Sequence, residues 1–393
     1  MASATLALLG KELRSMLREP VVLLSILLPF IVYSSMAPFY GQLGEQVREA
    51  ATLKGVRIAV ADCGLDPAAR LLVRAAAERL AAGNVSVTLV GGCNGTRLLL
   101  EGGYDVVVVL SGGLARLNAT LYIRGSLETL VKTLNLPGAV ASRLGQGLTG
   151  GNMTGNAYVY MNGRLYRLDQ LTSLFNTAIS MSYAALFVLF PAAAAGASLV
   201  GAEREERTLE VLLSLPVPRR SIALSKALTA IVIAGLTAVS ALAGLLNALR
   251  GAGFQLRVLD FYGVDGLAVY GAALLSEALF AISLAMIAGL FASTMRGAQA
   301  AASIAVMPAI IPPLMLLSGV QVSAALAAVP YMAVLLASLS PLTGVAAAAV
   351  AALLQAVEAA VALALLVRLL GSEAAVAGPE TVRRLSRLLR RGR

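Results

Sequence analysis

GAEREERTLEVLLSLPVPRRSIALSK, residues 201–226, is a charged stretch between two apolar runs that are each long enough to cross a bilayer. Its acidic residues come first, an apolar stripe at helical spacing follows, and Pro216 and Pro218 end the helix. Acidic side chains suit the positive end of a helix dipole, so we expect a helix over Glu203–Leu215 that opens on its acids. We interpret it as a cytoplasmic coupling helix, and an ordinary amphipathic helix at the membrane interface is the alternative.

This stretch resembles a segment that lies between the second and third spans of export-type ABC transporter permeases, the ABC type-2 permease family. The N-terminal KELRSMLREP and the large loop between the first two spans are also similar to that family, in a subgroup with a large extracytoplasmic domain. One departure is Glu206-Arg207, where many relatives have a basic residue followed by glycine. In the family the helix docks onto a separate ATPase subunit, and the resemblance implies this coupling role for Glu203, Arg204, Glu205, Thr208, Leu209 and Glu210.

The composition is that of an integral membrane protein. Apolar residues make up 58% of the chain and charged residues 13%, and the mean hydropathy is +0.82, far above that of a soluble globular protein. Cytoplasmic loops and a basic tail explain the net charge of +10 better than a nucleic-acid partner does. The sequence has no His, which excludes His-based triads and imidazole metal sites. We expect no enzyme activity, catalytic residue or metal site in this chain.

The N-terminal residues predict an interface helix and then a span. Residues 1–19 form an expected cytoplasmic amphipathic helix, with Leu6, Leu9 and Leu13 on one face. Residues 20–40 form the first predicted transmembrane helix. A cleaved signal peptide is the competing interpretation, because SSMAP resembles a small-residue cleavage site. The apolar run is long for a signal peptide, which favours a span.

Residues 41–173 interrupt the apolar pattern and predict a folded extracytoplasmic α/β domain. Asn162-Gly163 predicts a hairpin turn near its end. A helix is expected over Pro67–Ala82. Runs typical of strands occur at Val56–Ala61, Val85–Val90, Asp105–Leu110 and Ala119–Ile123.

Two features of this domain favour a location outside the cytoplasm. Cys63 and Cys93 follow the first two predicted strands, and neighbouring strands would bring them within bridging distance. We therefore predict a disulfide, which persists only in an oxidising compartment; two free buried thiols are the alternative. Asn-x-Ser/Thr sequons also fall here and predict glycosylation, in a host with the machinery, at Asn84, Asn94, Asn118 and Asn152.

The remaining apolar runs lie within residues 174–370 and predict the second to sixth spans. They are Leu174–Val200, Ala227–Leu249, Leu267–Phe291, Ala298–Val320 and Val345–Leu369. Residues 321–343 are long enough for a seventh span, but that would place the arginine-rich tail 371–393 outside, against the positive-inside tendency. We interpret 321–343 as a re-entrant outer segment and the tail as cytoplasmic and lipid-binding, with a disordered solvated tail as the alternative. The predicted fold is an all-α polytopic membrane domain of six transmembrane helices with an inserted extracytoplasmic α/β domain.

Two carboxylates fall near the middle of predicted spans. Glu277 and Glu358 would be costly facing lipid, so each is expected to face protein or a water-filled path. They are candidates for the translocation path. The alternative is that each holds helices together by hydrogen bonds, with Gln355 as a candidate partner of Glu358.

The expected function is that of the permease subunit of an ATP-binding-cassette exporter in the plasma membrane, with both termini cytoplasmic. No G-x-x-x-x-G-K-[ST] motif occurs, so ATP and Mg²⁺ are assigned to a separate ATPase subunit, and no cofactor to this chain. The expected partners are that ATPase, a second permease chain, identical or not, and membrane lipid. The alternative is a non-transporting membrane sensor or scaffold whose outer domain binds a ligand or partner.

Overall fold

The computed structural model contains two compact units. One comprises Met1–Pro38, Thr177–Leu314 and Ser323–Arg393, and the other comprises Phe39–Asn176 and Met315–Val322. The structure describes residues 2–18, 20–35, 56–81, 85–113, 116–126, 133–134, 136–137, 140, 152–161, 163–205, 219–251, 258–318 and 324–371.

The second unit is an α/β domain with one mixed six-stranded sheet. Its strands are β1 (Arg57–Leu65), β2 (Ser86–Gly91), β3 (Val106–Gly113), β4 (Arg116–Arg124), β5 (Asn152–Met161) and β6 (Arg164–Arg167). The order across the sheet is β2-β1-β3-β4-β5-β6. Strand β1 pairs in parallel with β2 and β3, while β3–β4 and β5–β6 are antiparallel and β4–β5 is parallel. The sheet therefore joins a parallel half to a mixed half.

Sequence patterns account for most of this domain. The apolar run of β1 is buried because the strand lies inside the sheet, between β2 and β3. The first helix of the domain, α3 (Pro67–Ala81), begins after Asp66, whose side chain accepts the Ala69 N–H. The second, α4 (Gly95–Glu101), was not predicted; Asn94 caps it by accepting the Arg97 N–H. The predicted hairpin at Asn162-Gly163 matches the β5–β6 pairing.

The first unit is helical. Its helices, with their full bounds, are α1 (Ala2–Met16), α2 (Pro20–Ser35), α5 (Leu168–Glu205), α6 (Arg219–Gly251), α7 (Val258–Phe291), α8 (Met295–Val306), α9 (Ile311–Ser318), α10 (Ala333–Ser338), α11 (Ser340–Thr343) and α12 (Val345–Gly371). Short 3-10 turns occupy Met307–Ile310 and Ala324–Ala328. The break after Val306 coincides with Pro308, which cannot continue an α-helical hydrogen-bond ladder.

Among the described residues, four helical stretches are long and apolar enough to cross a membrane. They are Leu168–Glu203, Phe261–Phe291, Met295–Leu316 and Val345–Leu370. The first and third predicted spans fall on helices α2 and α6, of 16 and 33 residues. The structure thus has a helical membrane domain and an α/β domain, while the count of six spans remains a prediction.

Small residues bring the helices of the first unit close together. A Cβ built on Gly244 of α6 would lie 2.7 Å from the Phe30 backbone of α2. A Cβ built on Gly201 of α5 would lie 2.8 Å from the Ala298 side chain of α8. These approaches exclude larger side chains, as at the interfaces of membrane helices.

The predicted re-entrant stretch consists of short pieces in its described part. Helices α10 and α11 have 6 and 4 residues, far fewer than the roughly 20 that a span needs. Residues 331–340 are all buried. The side of the membrane on which this segment lies remains a prediction.

Candidate functional site

The predicted coupling stretch starts inside a helix, which corrects one expectation. Helix α5 continues to Glu205, so Glu203 and Glu205 lie within it instead of opening a helix of their own. Both acids have partners on other helices. Arg204 belongs to the same turn, whereas Thr208, Leu209 and Glu210 lie outside the described residues.

Glu203 forms an ion pair with Lys226 of helix α6. The Lys226 ammonium lies 2.6 Å from Glu203 Oε1 and also donates to the Leu199 carbonyl at 3.0 Å. Lys226 is 1% exposed, and the Glu203 side chain 19%. A buried ammonium is tolerated when it is paired and hydrogen-bonded, and both of these acceptors are on α5. The pair therefore joins the end of α5 to the beginning of α6.

Glu205 joins the same end of α5 to helix α8. Its Oε2 accepts the Met295 N–H at 2.8 Å, at the first residue of α8. An acid at this position suits the positive end of the α8 dipole and satisfies a backbone donor that has no partner within the helix. One turn further on, Gln299 donates to Ser198 of α5 at 3.0 Å. With the close approach at Gly201, these contacts make a junction of three helix ends.

The sequence analysis included Lys226 in the charged stretch 201–226 but assigned it no partner. A signal was present, since Ile222, Lys226, Thr229 and Ile233 recur at helical spacing and share one face of α6, which is buried in the structure. A lysine on an otherwise apolar face calls for an acidic partner. Which acid serves depends on the packing of α5 against α6.

Glu277 of α7 holds the beginning of helix α10. Its Oε1 accepts the Val334 N–H at 2.9 Å, and it also interacts with the Ala333 N–H. Met332, at the N-cap position of α10, supplies no side-chain hydrogen bond. Glu277 is 2% exposed, so it replaces a local cap from inside the protein.

Gln355 of α12 holds the preceding turn. Its Oε1 accepts the Tyr331 N–H at 3.0 Å, and Tyr331 has the positive φ of 68°. The suggested pairing of Gln355 with Glu358 is corrected, because the Gln355 amide nitrogen, which would have to donate to the carboxylate, has no hydrogen-bond partner among the described residues. Glu277 and Glu358 are near enough to interact electrostatically. The Oε2 atom of Glu358 is buried and has no hydrogen-bond partner among the described residues.

The α/β domain contains the two cysteines and three of the predicted sequon positions within its described part. A disulfide joins Cys63 to Cys93, with Cα atoms 4.8 Å apart. Asn94 caps α4, while Asn118 and Asn152 lie on the adjacent strands β4 and β5; Asn84 is outside the described residues.

Near the disulfide, Asp62 pairs with Arg70 at 2.6 Å. The Leu65 N–H that Asp62 accepts, together with the charge of Arg70, lowers the pKa of Asp62 below its usual value. In the part of the chain that the structure describes, no group of three or more His, Cys, Asp or Glu side chains is placed to hold a metal ion.

Comparison with protein families shows that the model described as ABC-2 family transporter protein matches residues 6–376. Comparison with curated proteins and with solved structures gave no significant match.

Proposed function

The chain belongs to the ABC-2 transporter family of membrane proteins, and on that premise we propose that it is the permease subunit of an ATP-binding-cassette exporter. It moves a substrate out across the plasma membrane with ATP that a separate cytoplasmic subunit hydrolyses. Membership in the family implies association with such an ATPase. ATP and Mg²⁺ bind that partner, and two permease chains complete the transporter.

The observation that carries this proposal is the junction of three helix ends. Glu203 reaches Lys226 of α6, and Glu205 reaches Met295 of α8. Residues 206–218 follow Glu205 directly in the sequence. A displacement of that connection by the ATPase therefore acts on three membrane helices together.

We infer the following cycle. Closure of the two ATPases on ATP displaces the helix that contains Thr208, Leu209 and Glu210, and the three joined helices follow. The permease then changes from inward-open to outward-open. Nucleotide drives this change because it binds the two states with different affinity, through its own subunit. Glu277 and Glu358 lie along the path in this proposal.

The topology belongs to the same proposal. Six spans place both termini in the cytoplasm and the α/β domain outside the cell. The Cys63–Cys93 disulfide supports that compartment, because disulfides persist in oxidising environments. An exposed apolar stripe on α12, formed by Leu353, Val357 and Val361, suits contact with lipid.

Purification of the tagged chain in mild detergent tests the assignment. We expect an ATPase subunit to co-purify and to hydrolyse ATP with a rate that depends on the permease. Glu205→Gln keeps an oxygen for the Met295 N–H and should preserve the coupled rate, whereas Glu205→Lys should uncouple it. Purification of the chain without an ATPase, but with a ligand held by the α/β domain, would favour the sensor or scaffold instead.

A further inference from the structure

The buried ammonium of Lys226 is the most sequestered charge in the described part of the helical unit. Lys226 has the largest of the fully buried side chains, and it lies in the second turn of α6. Two of its acceptors, Glu203 Oε1 and the Leu199 carbonyl, are on α5. Removing an ammonium from water is unfavourable unless such acceptors replace the solvent.

Neighbouring polar side chains on α6 bond within their own helix. Ser225 donates to the Ile222 carbonyl at 2.9 Å, and Thr229 donates to the Ser225 carbonyl at 2.9 Å. Serine and threonine often bond in this way in membrane helices. Lys226, in contrast, pairs with Glu203 and donates to the Leu199 carbonyl, both on α5.

The position of the pair along the chain is informative. Glu203 and Lys226 stand on either side of residues 206–218, which connect α5 to α6. Their ion pair joins the two helices that this connection links in the sequence. A buried ion pair adds little net stability compared with apolar residues of the same volume, but it constrains the geometry of the groups that it joins.

We propose that Lys226 is a positioning residue for coupling, a role that rests on the proposed function. With the ion pair intact, a displacement of residues 206–218 moves α5 and α6 together. Without the pair, the connection moves relative to the helices, and the ATPase binds and hydrolyses ATP without moving them.

A set of matched variants separates this role from stability. The double variant Glu203→Gln/Lys226→Met removes both charges of the pair together, so neither is left buried without the other, and we expect it to retain the fold. The exchanged pair Glu203→Lys/Lys226→Glu restores an ion pair with reversed polarity. Lys11→Met removes the same charge from an exposed position on α1 and serves as the control.

The measurement uses the complex of full-length chain and co-purified ATPase in lipid nanodiscs. Hydrogen–deuterium exchange of α5 and α6 is compared without nucleotide and after trapping with ATP and vanadate. Compared at equal amounts of bound ATPase, the double variant is expected to show a nucleotide-dependent change in exchange that is about fivefold or more smaller than that of the wild type. The exchanged pair should restore most of that change, and the Lys11 variant should match the wild type.

Three results would overturn the assignment of Lys226. The first is a wild-type response in the double variant. The second is a lost response that the exchanged pair does not restore. The third is loss of the ATPase from the double variant, which would place Glu203 in docking instead. A wild-type chain that retains no ATPase, or shows no response to nucleotide, would refute the proposed function and this role with it.

Discussion

Replacing Glu277 tests whether this buried acid acts as a hydrogen-bond acceptor or as a charge. Glu277→Leu removes the acceptor of the Val334 N–H, which lies 2.9 Å from Oε1 in a fully buried turn. A buried N–H without a partner costs about 1–3 kcal/mol. Glu277→Gln keeps a carbonyl oxygen at the same place, so it should retain most of that stability.

Hydrogen–deuterium exchange of the peptide covering α10 measures this effect directly. If exchange occurs by local opening, a loss of about 1–3 kcal/mol accelerates it by roughly 5- to 150-fold. We expect that acceleration for Glu277→Leu and a much smaller one for Glu277→Gln. Ser276→Ala is the matched control, because Ser276 donates to the Ala272 carbonyl of its own helix, so its replacement should leave α10 unchanged.

Three other outcomes of these experiments would each lead to a different conclusion. Unchanged exchange in Glu277→Leu would refute the capping role. Equal acceleration in the Gln and Leu variants would show that the negative charge, and not the acceptor, holds α10. Transport that changes in Glu277→Gln while α10 stays protected would place the charge of Glu277 on the translocation path, with capping as a separate role.

Three further predictions concern other contacts. Gly201→Ala should destabilise the helical unit by about 1–3 kcal/mol, because the added Cβ would lie 2.8 Å from the Ala298 side chain. Gly235→Ala is the control, since a Cβ there meets nothing within 4 Å, and thermal unfolding in detergent compares the two variants. Cys63→Ser should lower the stability of the α/β domain by about 3–4 kcal/mol, which hydrogen exchange would detect as faster exchange in β1 and β2. Exchange equal to that of the wild type would argue against the disulfide in native membranes. Because the pKa of Asp62 is lowered in the folded state, the contribution of its carboxylate to folding stability is present above the unfolded pKa of 3.8 and disappears as the pH falls through the lower folded pKa. Arg70→Met should raise the titration midpoint of Asp62 measured by carboxyl-labelled NMR, and an unchanged midpoint would contradict the ion pair.

Much of the helical and strand content could be predicted from local patterns. The predicted strands at Val56–Ala61 and Asp105–Leu110 overlap β1 and β3, because a continuous apolar run of that length suits a buried strand. Helix α4 was missed because seven residues are too few to show a helical period. The helix predicted over Glu203–Leu215 was misplaced at its start, because acids are favoured at helix beginnings and the sequence does not reveal that α5 continues to Glu205.

The candidate sites were identified only in part. Glu203 and Glu205 were identified by the resemblance of their segment to the family, and Glu277 and Glu358 because acids within apolar runs are costly. Their partners were not. Lys226 lies 27 residues from Leu199, Met295 lies 90 residues from Glu205, and Val334 lies 57 residues from Glu277.

The sequence alone determined that the chain is a membrane protein with an inserted α/β domain, and where its charged stretch 201–226 lies, because composition and periodicity are local properties. Tertiary structure decided that Lys226 pairs with Glu203, that Glu205 caps α8, and that Glu277 and Gln355 hold the turn before α10. Apolar burial drives helices together without specifying direction, so the pattern of a helix shows which face is buried but not which neighbour covers it. Hydrogen bonds and ion pairs are directional, and they become defined only when that packing places donor and acceptor within reach.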